Sequence, residues 1–119
     1  MVTLDFKDTG IEIDLKGIEK ILAIKNRLFI PYEHIIKVDE NAENIKAYLR
    51  VGGTALGPRH YDYGRFMTNE GLGFYIIKNK DNAFAIYLKD EKYKVIVLEL
   101  DDNITAINKI KEKLQVIKR

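Results

Sequence analysis

The sequence predicts a mostly β protein of the α+β class, in which a run of short antiparallel strands ends in one amphipathic helix. Three observations carry this. Ile11, Ile13 and Leu15 alternate with Glu12 and Asp14, the period of two expected of a strand with one buried face. Four stretches rich in aromatic and branched residues then follow one another between Tyr63 and Leu100, separated by turn residues. From Ile104 onward the apolar period changes to three and four.

Along the chain, Val2, Leu4 and Phe6 also alternate, and the turn residues of Lys7 to Gly10 join them to Ile11 to Leu15 as a hairpin. After Gly17, the spacing of Ile18, Ile21, Leu22 and Ile24 fits a short helix or a bent strand. Arg27 to Ile30 reads as a strand ended by Pro31, which lacks the N–H a ladder needs. A turn over Tyr32 to Ile35, which would hold His34 at the surface, leads to a strand containing Ile36 and Val38, closed by Asp39 to Asn44. Residues Ile45 to Val51 are ambiguous. The stretches Tyr63 to Thr68, Phe74 to Lys78, Ala83 to Leu88 and Tyr93 to Leu100 read as four consecutive strands of an antiparallel meander. Ile104, Ile107, Ile110, Leu114 and Ile117 form the stripe of a helix that Asp102 or Asn103 would cap, with Lys113, Lys118 and Arg119 near its negative end.

Size and composition set limits. A chain of 119 residues with 46% hydrophobic and 32% charged residues fits one folded domain over 1–119, with strands at roughly 11–100 and a capping helix at roughly 103–118. Cysteine is absent, which excludes disulfides, thiolate metal sites and cysteine nucleophiles. Serine is absent too, which removes serine triads. His34 and His60 lie far apart without metal-ligand spacing, so no metal or other cofactor is expected. No apolar run approaches the roughly 20 residues that span a bilayer, and the N-terminus lacks the pattern of a secretion signal, so no transmembrane segment and a cytoplasmic location are expected.

Net charge is only +2, too balanced to signal a nucleic-acid partner, but its distribution is uneven. Residues 1–15 hold Asp5, Asp8, Glu12 and Asp14 against Lys7, a net of −3, whereas residues 50–66 hold Arg50, Arg59 and Arg65 against Asp62, a net of +2. This second stretch is also rich in glycine, at 52, 53, 57 and 64, with Gly71 beyond it. A phosphate loop would need a lysine and a hydroxyl between a strand and a helix, and neither is present. The glycines read as tight turns where one strand system crosses to the next. Arg50, Arg59, His60 and Arg65 are the candidate residues for an anionic or acidic partner, because arginine forks match phosphate and carboxylate. Tyr61, Tyr63 and Phe66 interleave with them, as in a single-strand nucleic-acid platform or, more simply, as core residues of a strand.

Gly53, Thr54 and Leu56, then Gly64, Arg65, Phe66, Thr68 and Gly71, the strand Ala83 to Leu88, and Tyr93, Ile96, Val97 and Glu99 together resemble the bacterial pleckstrin-homology domains. The specific motif covers residues 53–99, and the chain differs at Gly57 and Pro58, where the family often has proline before glycine. The resemblance implies a partly open barrel of about seven antiparallel strands, built from two nearly orthogonal sheets and capped by the C-terminal helix. It also implies a non-enzymatic interaction or assembly module, some members of the family being ring-forming. Homo-oligomerisation through a sheet edge is therefore expected, with strands 83–88 and 93–100 as candidate edges. The alternative is anionic lipid or phosphate binding through the basic glycine-rich loop 50–66, with the protein peripheral to a membrane.

Overall fold

The computed structural model describes residues 2–15, 27–56 and 61–117. Nine strands lie among them: β1 (Thr3–Phe6), β2 (Gly10–Asp14), β3 (Arg27–Pro31), β4 (Ile35–Asp39), β5 (Ala47–Leu56), β6 (Tyr61–Thr68), β7 (Gly71–Ile77), β8 (Phe84–Leu88) and β9 (Val95–Leu98). One α-helix, α1 (Asn103–Ile117), ends the described chain, and single 3-10 turns lie at Tyr32–His34 and Lys80–Asn82. The structure is thus mostly β, with two sheets and a C-terminal helix. The expected element between Gly17 and Ile24 lies outside the described residues.

The first sheet has the order β1-β2-β3 and is antiparallel throughout. Its alternation works as the sequence requires: Ile11, Ile13, Leu28 and Ile30 are buried on one face while Glu12, Asp14, Arg27 and Phe29 occupy the other. The second sheet has the order β4-β8-β9-β7-β6-β5. Its inner face, including Tyr63, Phe74, Ile76, Phe84, Ile86, Ile96 and Leu98, joins the inner face of the first sheet in one apolar cluster. Its other face, with Phe66, Tyr75, Ile77, Ala85, Val95 and Val97, forms a second cluster beneath Ala42 and Ile45.

The meander expected over residues 63–100 does not form. β9 is inserted between β7 and β8, parallel to β7 and antiparallel to β8. The physical reason is burial on both faces: all four residues of β9 are buried, which only a central strand permits. For the same reason β8 and β9, the strands expected to offer free edges, are interior. Among the described residues, the strands that end the large sheet are β4 and β5 instead.

Glu99, just past β9, secures this topology. The connection from β7 to β8 passes the end of β9, and the Glu99 carboxylate accepts from Lys78 N–H at 2.7 Å, Asn79 N–H at 2.8 Å and Asn82 Nδ2 at 3.2 Å. The start of α1 is tied to the same turn, since Asn103 Nδ2 donates to Asn82 O at 2.7 Å.

Asp102 caps α1, accepting from Thr105 N–H at 3.1 Å and from the Thr105 hydroxyl at 2.6 Å. Ala106, Ile107, Ile110 and Leu114 are the buried stripe, and the helix packs against β4 and the turn at Tyr32–His34. Ile104, expected in that stripe, is 73% exposed because it sits in the first turn, beyond the apolar contact. Burial of Ile110 is complete, so truncating it to alanine costs about 2–5 kcal/mol.

Candidate functional site

On either side of residues 57–60, which lie outside the described residues, the basic glycine-rich stretch is paired as the antiparallel strands β5 and β6, and β5 ends the sheet among the described residues. Tyr63 and Phe66, neighbours in the expected aromatic series, are both buried, Tyr63 in the inter-sheet cluster and Phe66 against Tyr75 on the opposite face. These two aromatics are core residues and offer no stacking surface.

Of the four candidate anion-binding residues, Arg59 and His60 lie outside the described residues. Arg50 is exposed on β5 opposite Phe66, while Arg65 on β6 stands opposite Gly52 on one side and Phe74 on the other. Cross-strand partners share a face and consecutive strand residues alternate, so Arg50 and Arg65 occupy opposite faces of the hairpin. The structure does not bring these two together.

Glycine has two distinct roles here. Gly52, Gly53 and Gly64 lie inside strands and not in the tight turns expected; Gly64 (φ 117°), within β6, and Gly71 (φ 114°), after the turn into β7, have positive φ. Gly52 instead makes room for a side chain: a Cβ there would meet Arg65 Nη2 at 2.8 Å and Nε at 3.3 Å. The guanidinium thus lies over the edge strand. Among the described residues it forms no ion pair. Burial pushes the Tyr93 hydroxyl pKa up, and the Arg65 charge pulls it part of the way back.

β5 has a second feature that sequence reasoning left ambiguous. Its register with β6 shifts between Ala47 and Leu49 and again between Arg50 and Gly52, so Tyr48 and Val51 are extra residues in the ladder. Tyr48 is 70% exposed, Leu49 57% and Val51 48%. Exposed apolar side chains on a strand at the end of a sheet favour pairing, whereas the two bulges and the charge of Arg50 are features that restrict it. At the other end of the sheet, α1 packs beside β4, and Lys111 Nζ reaches Glu40 Oε1 at 3.5 Å.

Other polar features have local partners. His34 is not a free surface residue, because its Nδ1 pairs with the Glu91 carboxylate in the turn between β8 and β9. A cleft of about 160 Å³ includes Ile76, Asn82 and Glu99, whose carboxylate already receives three donors. A second, about 340 Å³, is lined by Asn41, Glu43, Lys46, Lys80 and Asp81, charges of both signs. Among the described residues no group of three or more His, Cys, Asp or Glu could hold a metal ion, and no helix is long and apolar enough to cross a membrane.

The fold and this surface define a two-sheet, mostly β protein with an apolar, basic open edge. Comparison of the chain with protein-family models, with curated proteins and with solved structures gave no match.

Proposed function

We propose that this chain is a non-enzymatic interaction and assembly module of the bacterial pleckstrin-homology-like type, acting in the cytoplasm and associating with itself through the open edge of its larger sheet. The observation that carries the reading is β5, whose exposed Tyr48, Leu49 and Val51 lie on a strand that, among the described residues, is paired on one side only. An added strand there would satisfy backbone groups and cover apolar surface together. Two sheets around a shared core with a C-terminal helix support the pleckstrin-homology-like part of the proposal, while the parallel pairing of β7 with β9 departs from that outline.

The test is the mass in solution by light scattering across a dilution series. Self-association is expected, and Leu49→Lys is expected to raise its dissociation constant about tenfold or more. A wild-type chain that stays monomeric at about 100 µM overturns the reading.

The alternative, an anionic lipid or phosphate ligand, draws on the Arg65 guanidinium, which has no ion pair among the described residues. It requires salt-sensitive binding to vesicles containing acidic lipid that is lost in Arg59→Glu with Arg65→Glu. Binding unaffected by salt or by these substitutions excludes it.

A further inference from the structure

The chemistry of β5 says what kind of strand it accepts. No acidic residue occurs between Glu43 and Asp62. Lys46 precedes the strand, Arg50 is exposed on it, and the Arg65 guanidinium reaches across from β6 to lie over Gly52. Two copies joined β5 to β5 about a two-fold axis would bring these cations together. Like charges across such a contact are unfavourable, and an acidic strand is the complementary occupant.

Among the described residues, one strand at the end of a sheet is acidic. β4 is flanked by α1, and β3 carries Arg27, which is already engaged with Glu12 at 3.3 Å. β1 exposes Asp5, with Asp14 opposite Thr3 in the ladder and Asp8 in the adjoining turn, while Glu12, opposite Asp5, is the carboxylate already paired with Arg27. Asp5 pairs with Lys7 at 2.8 Å, but both side chains are at least half exposed, so the pair is worth little and is readily exchanged.

We infer that copies of this chain associate head to tail, β5 of one along the acidic strand β1 of the next, and that Arg65, seated over Gly52, takes the partner strand's Asp5 carboxylate. This rests on the self-association proposed above and names its partner surface. Such a contact uses different patches on the two copies, so it leaves one β5 and one β1 unused at the ends and grows beyond a dimer or closes into a ring.

Analytical ultracentrifugation of the wild type, Arg65→Glu, Asp5→Arg and the chain carrying both reversals tests the pairing, with thermal melting to verify folding. The wild type is expected to exceed a dimer as concentration rises. Each single reversal should weaken association about tenfold or more, and the double reversal should recover it, since the charges are again opposite. Recovery in the double variant excludes misfolding as the cause of the single losses. A wild type that stops at a dimer, or single losses that the double reversal does not recover, overturns the head-to-tail pairing. If Leu49→Lys abolishes association while Arg65→Glu leaves it unchanged, self-association stands and the Arg65 pairing falls. A monomeric wild type at about 100 µM removes both.

Discussion

The Tyr32 hydroxyl donates a hydrogen bond to the carbonyl of Lys7 at 2.8 Å, joining the short turn after β3 to the β1–β2 turn, 25 residues earlier in the chain. Tyr32 N–H reinforces the link by donating to Thr9 O at 3.1 Å. Replacing Tyr32 by Phe keeps the buried ring but leaves the Lys7 carbonyl without this donor, an expected cost of about 1–2 kcal/mol in the urea-unfolding free energy.

Burial, first, and the charges of Asp8 and Asp5 hold the Tyr32 hydroxyl pKa above its ordinary value, and burial raises Tyr87 and Tyr93 as well. The unfolded chain therefore gives up these protons at lower pH than the folded one. Their contribution to stability is fully present below about pH 10 and is lost as pH rises through the folded-state pKa values. Unfolding midpoints measured between about pH 8 and 11 should fall over the alkaline end of that range, and Tyr32→Phe should make the fall shallower.

Glu99→Ala removes the acceptor for three donors at the crossing from β7 to β8, and is expected to cost about 1–3 kcal/mol. Glu99→Gln should cost less, because a carboxamide oxygen can still accept from Lys78 N–H and Asn79 N–H while only the Asn82 contact is lost. Hydrogen exchange read at Lys78 and Asn79 should speed up in the alanine variant and stay closer to wild type in the glutamine one.

At the start of α1, hydrogen bonds from the Thr105 hydroxyl and N–H hold the Asp102 carboxyl pKa below its usual value. A depressed pKa gives stability that is present above the unfolded value near pH 4 and lost as pH falls through the folded one. Asp102→Ala should lower the melting temperature at pH 7. Asp102→Asn, itself a good cap, should retain most of it and flatten the acid limb of the melting-temperature profile.

Gly64 lies buried in the middle of β6 with φ 117°. Gly64→Ala forces a side chain into a conformation that L residues rarely adopt, with an expected loss of about 1–2 kcal/mol by urea unfolding. Gly52→Ala, where φ is not positive and the obstacle is the far end of the Arg65 side chain, should cost less stability.

The periodic elements were legible in the sequence because their cause is local. Ile11, Ile13 and Leu15 face the core, and of the helical stripe Ile107, Ile110 and Leu114 are buried, because strand and helix periods dictate which side chains share a face. The interior position of β9 was legible in principle, since a run of four apolar residues suits a strand buried on both faces, yet nothing local says between which neighbours it lies. The candidate site was legible in part. Arg65 was found by its charge and setting, whereas the role of Gly52 as a seat for the guanidinium depends on a register with β6 that no spacing along the chain reveals.

The sequence by itself determined the composition of the elements, the two-faced strands, the capped helix, and the separation of an acidic beginning from a basic middle, all of which follow from near-neighbour chemistry. Only the tertiary structure decided that β9 lies between β7 and β8, that Arg50 and Arg65 stand on opposite faces, and that β5 ends the larger sheet among the described residues. Those outcomes depend on pairing between segments distant along the chain, chosen by how the whole set of apolar faces can be covered at once.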